Sequence, residues 1–136
     1  LCFAGSEETQ LLDLYMKDTS AGASHNSIGS SSNQFGEFEV NGYQSVIAIK
    51  LDELKDMNGV PSPDHIKLDV DGKELEILKG GAKVLSSVES VHVEIEGKNL
   101  IENLEEIEEI MSYAGLEEEE SWRDKGSRRN RLYLRK

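Results

Sequence analysis

Cysteine is nearly absent from this sequence. The single Cys2 excludes an intramolecular disulfide and a cysteine-built zinc cage, and it fits a reducing cytoplasm. Taken alone, Cys2 reads as a small buried apolar residue. Long apolar runs are absent as well: no window approaches the roughly 20 residues of a membrane helix. The opening "LCFAGSEE" lacks the basic-then-apolar pattern of a secretory signal. A soluble, cytoplasmic protein with no membrane partner is the expectation. Bases are in short supply, 15 against 27 acids for a net charge of −12, which disfavours a phosphate backbone and hence a nucleic-acid partner. A small-molecule partner fits better. An initiator methionine is also missing, and the chain opens inside an apolar run as though a strand had been cut, so a segment upstream is expected.

The 136 residues have room for one domain. In the first part, residues 1–59, "QLLDLYM" (10–16), "FEV" (38–40) and "SVIAIKL" (45–51) read as strands in antiparallel ribbons, the last two joined across an Asn41-Gly42 turn. Between them "TSAGASHNSIGSSSNQFG" (19–36) offers almost nothing to bury. It is either a surface connector or a lid. From residue 60 the pattern becomes strand, helix, strand, helix, the signature of parallel βαβ units. "HIKLDV" (65–70) and "SVHVEIE" (90–96) are the strands. Leu75, Leu78, Ala82 and Leu85 recur at helical spacing, and "NLIENLEEIEEIMSYAG" (99–115) sets Leu100, Ile101, Leu104, Ile107, Ile110 and Met111 on one face, with Asn99 as N-cap and Gly115 as the stop. "LEEEESW" (116–122) and "NRLYLRK" (130–136) predict a closing hairpin. The bases of this tail are balanced by the acidic helix before it.

"IKLDVDGKELEILKGG" (66–81) carries the chemistry. An EF-hand loop with Gly72 at its sixth position would start on Lys67 and end on Leu78, a cation and an aliphatic where carboxylates are needed, so calcium is excluded. No metal site is expected. "LDVDGKEL" also resembles the Asp-x-Asp-Gly-Thr-Leu motif of haloacid-dehalogenase phosphatases, but Lys73 replaces the Thr. The later acidic pair for magnesium is missing too, Asp124 being the only aspartate beyond Asp71.

The wider pattern "PDHIKLDVDGKELEILKGGAKVL…VHVEIEG" resembles the FkbM-type S-adenosylmethionine-dependent methyltransferases, with their Pro-Asp-x-Ile-Lys-Ile-Asp-Val-Glu-Gly-x-Glu core, a helix ending Leu-Lys-Gly and a strand ending Val-Glu. "FAGSEE" is similar to the family's Ala-Leu-Ser-Asp turn, "AGASHNS" to its Gly-Ala-Ser-Ser loop, "IKLDEL" to its Thr-Leu-Asp-Asp-Leu and "NRLYLRK" to its closing strand. The resemblance implies an α/β fold, part of a Rossmann-like class I methyltransferase sheet with parallel central strands and a C-terminal antiparallel hairpin. It covers one domain, residues 1–136, with hairpin strands and a Ser/Gly-rich loop in 1–59 and a βαβα-ββ core in 60–136.

What the resemblance implies for the site follows residue by residue. S-adenosylmethionine is the cofactor, contacted by Ala4, Gly5, Ser6 and Asp69. Asp69 and Glu94, at the ends of neighbouring parallel strands where such sheets bind ligands, are the catalytic candidates. Asp71, Gly72, Glu74 and Ser24 face the acceptor, a small hydroxylated metabolite or sugar. Each has a plainer alternative. Asp69 would serve equally as a carboxylate bonding the amides at the start of the next helix, Glu74 as a structural residue of that helix's first turn, His92 as a packed or polar-face strand residue, and Asp52 as a helix cap. A non-catalytic α/β interaction module is the rival to an enzyme. Two departures from the family stand out: Asp71 replaces its Glu, and the Asp-x-Gly-x-x-x-Gly cofactor loop is absent. Without that half, the strand carrying Ile66 to Asp69 is expected to present an open edge through which the chain self-associates.

Overall fold

Two ladders of different character make up the chain. The computed structural model describes residues 3–33, 36–57, 59–97, 99–125 and 128–136; Cys2 lies outside the described residues. The first part contains β1 (Ala4–Gly5), β2 (Gln10–Met16), β3 (Ser27–Ile28), β4 (Ser32–Asn33), β5 (Gly36–Glu37) and β6 (Gly42–Ile49). The first sheet runs β1-β6-β2-β3, with β4 and β5 paired separately. Seven consecutive pairs, from Gln10↔Ala48 to Met16↔Gly42, zip β2 and β6 antiparallel. The predicted hairpin across Asn41-Gly42 does not form. Residues 38–40 join no strand among the described residues, and the Asn41 amide donates to the Met16 carbonyl at 2.8 Å, so the long β2–β6 ladder claims this segment first. The Ser/Gly-rich stretch is partly structured, since β3 adds to the edge of β2.

α1 (Leu51–Asp56) closes the first part, and the second contains β7 (His65–Leu68), α2 (Glu74–Lys79), α3 (Ala82–Leu85), β8 (Ser90–Glu94), α4 (Leu104–Tyr113), β9 (Leu116–Glu118) and β10 (Asn130–Arg135). Its sheet is ordered β7-β8-β10-β9. β7 and β8 are parallel, as the intervening helices require, and β10 lies antiparallel between β8 and β9. The expected closing hairpin is present, with its first strand shorter than predicted. The architecture is mixed α/β with parallel and antiparallel pairing.

The core lies between one face of this second sheet and α2, α3 and α4. Leu68, Val91, Val93, Leu116 and Tyr133 meet Leu75, Ile77, Leu78, Val84, Leu85, Ile107 and Met111, all buried. Alternation explains the sheet side: Val91, Val93 and Ile95 are fully buried, while His92 and Glu94 point to the other face. One predicted helix is two, broken at Gly80-Gly81. A Cβ on Gly80 would lie 2.2 Å from the Ser6 carbonyl oxygen, and one on Gly81 3.0 Å from the Leu51 side chain. These glycines let the first part of the chain rest on the helices of the second. Asp52 caps a helix, but not its own: its carboxylate accepts the Lys83 and Val84 amides of α3 at 3.0 and 2.9 Å.

The predicted long helix is also corrected at its start. Asn99–Asn103 form a π turn, and α4 begins at Leu104 with no side-chain cap. Asn99 is therefore inside the helical path, not its N-cap. The wider turn shifts the helical phase, leaving Ile101 84% exposed and Leu100 43% exposed instead of on the buried face. The tail bases find acids, though on strands more than on α4: Arg123 and Arg131 pair with Glu118, Lys136 with Glu117 and Arg129 with Glu96. Arg135 instead donates to the carbonyls of Leu85, Val88 and Ala114 at 2.6, 2.7 and 2.9 Å, closing the ends of α3 and α4. Among the described residues no helix is long and apolar enough to cross a membrane.

Candidate functional site

Parallel pairing of β7 and β8 runs through Leu68↔Val93. The next residues, Asp69 and Glu94, therefore fall side by side at the carboxyl ends of both strands. The two carboxyl groups are close enough that each shifts the titration of the other. Their surroundings shift them in opposite directions. Lys67, two residues back on the same face of β7, donates to Asp69 at 2.6 Å and holds its carboxyl below the ordinary aspartate value. Burial, then the bond to Asp69, pushes Glu94 up. Asp69 is thus the stronger acid of the two and Glu94 the weaker. Arg129, just before β10, stands 3.6 Å from Glu94 and bonds Glu96. Behind the pair His92 meets the edge of Trp122 at 6.0 Å, its Nε2 buried with no hydrogen-bond partner among the described residues.

The chain then makes a tight turn. Asp71 and Gly72 both adopt positive φ, 56° and 104°. For Asp71 this left-handed conformation costs on the order of 1 kcal/mol, less than for a branched residue because a short polar side chain tolerates it. Glu74, the first residue of α2, is only 2% exposed. Its Oε1 accepts the Val70 amide at 3.0 Å and the Gly72 amide at 3.4 Å. The carboxylate expected at the acceptor site thus lies beneath the turn, with Asp71 and Gly72 half-buried above it.

Other expected site residues lie elsewhere. Gly5 packs toward Ile77 and Ser6 is buried against Gly80, at the far end of α2, with its amide donating to the Ile49 carbonyl at 3.0 Å. Gly5 thus meets α2 at its fourth residue and Ser6 meets the glycine that ends it, with Ala4 beside Gly5 on β1. Ser24 is exposed and lines a polar cleft of about 810 Å³ with Lys17, Asp18, Thr19, His25 and Asn41. None of its lining residues belongs to the carboxyl pair. Next to the pair, a groove of about 360 Å³ runs along β7 between Leu51, Leu54, Val60, Ile66, Leu68 and Val84. Among the described residues no group of three or more acids, histidines or cysteines is arranged to hold a metal.

Residues 2–126 match the Methyltransferase FkbM domain. The chain belongs to that family. A stretch of 54 residues, 40% of this FkbM chain, is 46% identical to the hexuronic acid methyltransferase AglP of Haloferax volcanii and covers 23% of that protein. This chain therefore aligns with less than a quarter of its curated relative's length. No solved structure matches it. Within this FkbM domain the cations beside the acids are what sequence reasoning missed. Lys67 was legible from its i, i+2 spacing to Asp69 on a strand. Arg129 was not, because its approach to Glu94 depends on the register Asn130↔Glu94.

Proposed function

We propose that this chain forms part of an S-adenosylmethionine-dependent O-methyltransferase with a Rossmann-like sheet, acting on a hydroxyl of a small metabolite or sugar. The observation that carries the reading is the Asp69–Glu94 pair, one carboxyl lowered and one raised from its ordinary value, at the ends of two adjacent parallel strands. Such a pair suits the positive end of the methyl donor, which when bound supplies an electrophilic methyl group. The described residues do not gather donors for the cofactor's carboxylate and ribose at this rim. Gly80-Gly81, packed on Ser6 and Leu51, has no space to do so.

Asp69, ionised and 46% exposed, is the group to receive the acceptor's hydroxyl proton as the oxygen becomes nucleophilic, a contribution of about 10²–10⁴-fold. Glu94, the weaker acid of the pair, stands beside Asp69 and fixes its orientation. Lys67 and Arg129, flanking the acids, would balance an anionic acceptor. The relative's printed substrate, a hexuronic acid, has that charge.

In the full-length protein, Asp69→Asn should lower methylation of a hexuronic acid by about 10²–10⁴-fold with the fold unchanged by circular dichroism. Unchanged turnover on both hexuronic and neutral hexose acceptors would remove Asp69 from the chemistry. The rival, a non-catalytic module, needs neither acid at this rim and would bind no methyl donor. The outer edge of β7 has no strand partner among the described residues, and a second copy of the chain is its proposed occupant. Residues 1–136 alone should sediment above monomer mass and bind S-adenosylmethionine weakly by calorimetry. A monomer with micromolar affinity would refute both statements.

A further inference from the structure

We infer that Glu74 is a positioning residue, whose buried carboxylate sets the Val70–Gly72 turn and so fixes Asp69 against Glu94. The inference deepens the methyl-transfer reading and rests on it for its functional meaning, but the geometry stands alone. A buried carboxylate is expensive unless its oxygens find donors, and Oε1 of Glu74 accepts from the amides of Val70 and Gly72. These two amides bracket Asp71, the residue held at φ 56°. A turn in sparsely populated backbone persists only where surrounding groups over-determine it, and the buried acceptor of Glu74 is the group that does so here. Bonds from amides to a carboxylate are stronger than neutral ones. Val70 directly follows Asp69, so a turn free to relax would swing the Asp69 carboxyl away from its partner.

Sequence spacing also fits. Glu74 is four residues after Val70 and opens α2, so its side chain reaches back over the preceding turn without distortion. Its oxygen is turned to the backbone, away from the face on which Lys67, His92 and Glu94 gather. Asp69 therefore acts on whatever the rim binds, and Glu74 acts through Asp69.

The test reads the carboxyl pair directly, by carbon-detected NMR titration of Asp69 and Glu94 in the full-length protein. Lys67, Arg129, His92 and Glu96 are the other charged or titratable groups at the rim, and all remain unchanged. In the unaltered protein the two carboxyls are expected to titrate apart, Asp69 below its ordinary value and Glu94 above it. Glu74→Ala should collapse that separation, and Glu74→Gln, which retains an acceptor oxygen, should preserve most of it. Gly72→Ala, which disturbs the turn at φ 104° while leaving the Glu74 side chain in the sequence, should collapse it as Glu74→Ala does. This variant decides the matter if Glu74→Ala does not fold. A separation unchanged in folded Glu74→Ala or in Gly72→Ala would overturn the inference. So would equal collapse in Glu74→Ala and Glu74→Gln, which would assign the effect to the charge of Glu74 instead of to its hold on the turn. In parallel, methylation of a hexuronic acid should lose kcat in Glu74→Ala with KM for S-adenosylmethionine little changed. If the unaltered protein methylates nothing, the functional reading fails while the titration still decides the role of Glu74.

Discussion

The first sheet has the longer strands and almost no core, whereas the second has shorter strands and nearly all of it. β2 and β6 run seven and eight residues, yet of their side chains only Ala48 is a buried hydrophobic, and Leu11, Tyr43 and Ile47 are 69%, 71% and 58% exposed. β7 and β8 run four and five residues, and Leu68, Val91 and Val93 are buried against helices. A backbone ladder exchanges one set of hydrogen bonds for another and gains little net free energy. Burial gains roughly 25 cal/mol for each Å² of apolar surface removed from water. The second part therefore stabilises the chain, and the first is held by what it touches there: Ser6 on Gly80, Gly5 on Ile77 and Asp52 on the start of α3.

The sharpest way to break this contrast is to truncate one side chain on each side. Leu78→Ala, at 1% exposure, should cost about 2–5 kcal/mol in urea unfolding, and Ile47→Ala should stay within about 0.5 kcal/mol. Equal costs would mean that the first sheet has a core of its own. A middle-sized effect tests the joint: Gly80→Ala forces a Cβ to 2.2 Å from the Ser6 oxygen and should cost about 1–3 kcal/mol. Hydrogen exchange should then show the amides of Ser6 and β6 losing protection while those of β8 and β10 keep it.

The smallest effect lies at the rim. Because Glu94 is raised, the folded chain holds a proton that the unfolded chain releases, so stability falls as pH climbs from the ordinary glutamate value through the folded one. Asp69 is lowered and acts in the opposite sense, its contribution being present above the ordinary aspartate value and lost as pH drops through the folded one. Glu94→Gln should thus raise the urea midpoint at pH 7 and leave it little changed near pH 4. A loss at pH 7 would show that the proton on Glu94 is not what the fold retains.

The second part was the more legible one, for the same physical reason. Its strands and helices bury one face each, so Val91 and Val93 or Leu75 and Leu78 advertise their period. The carboxyl pair followed from two strand ends and parallel pairing. In the first part little is buried, and strand content alone did not tell whether β6 would pair with residues 38–40 or with β2. Leu100 and Ile101 misled because a π turn changes the phase without changing the residues. The reach of Asp52 to α3 and the descent of Glu74 beneath its turn are tertiary facts that local pattern does not encode.

The place of β10 between β8 and β9 has a kinetic consequence. Arg135 joins carbonyls 50, 47 and 21 residues away, so the central strand of the second sheet arrives only after long loops have closed, and closures of that kind set a slow folding rate. Arg129 travels with it. Until β10 docks, Glu94 and Glu96 meet Asp69 without their guanidinium partner, and the acids repel one another. Salt that screens this repulsion should speed the docking step itself, making the carboxyl rim a late event in folding as well as the place where chemistry is expected.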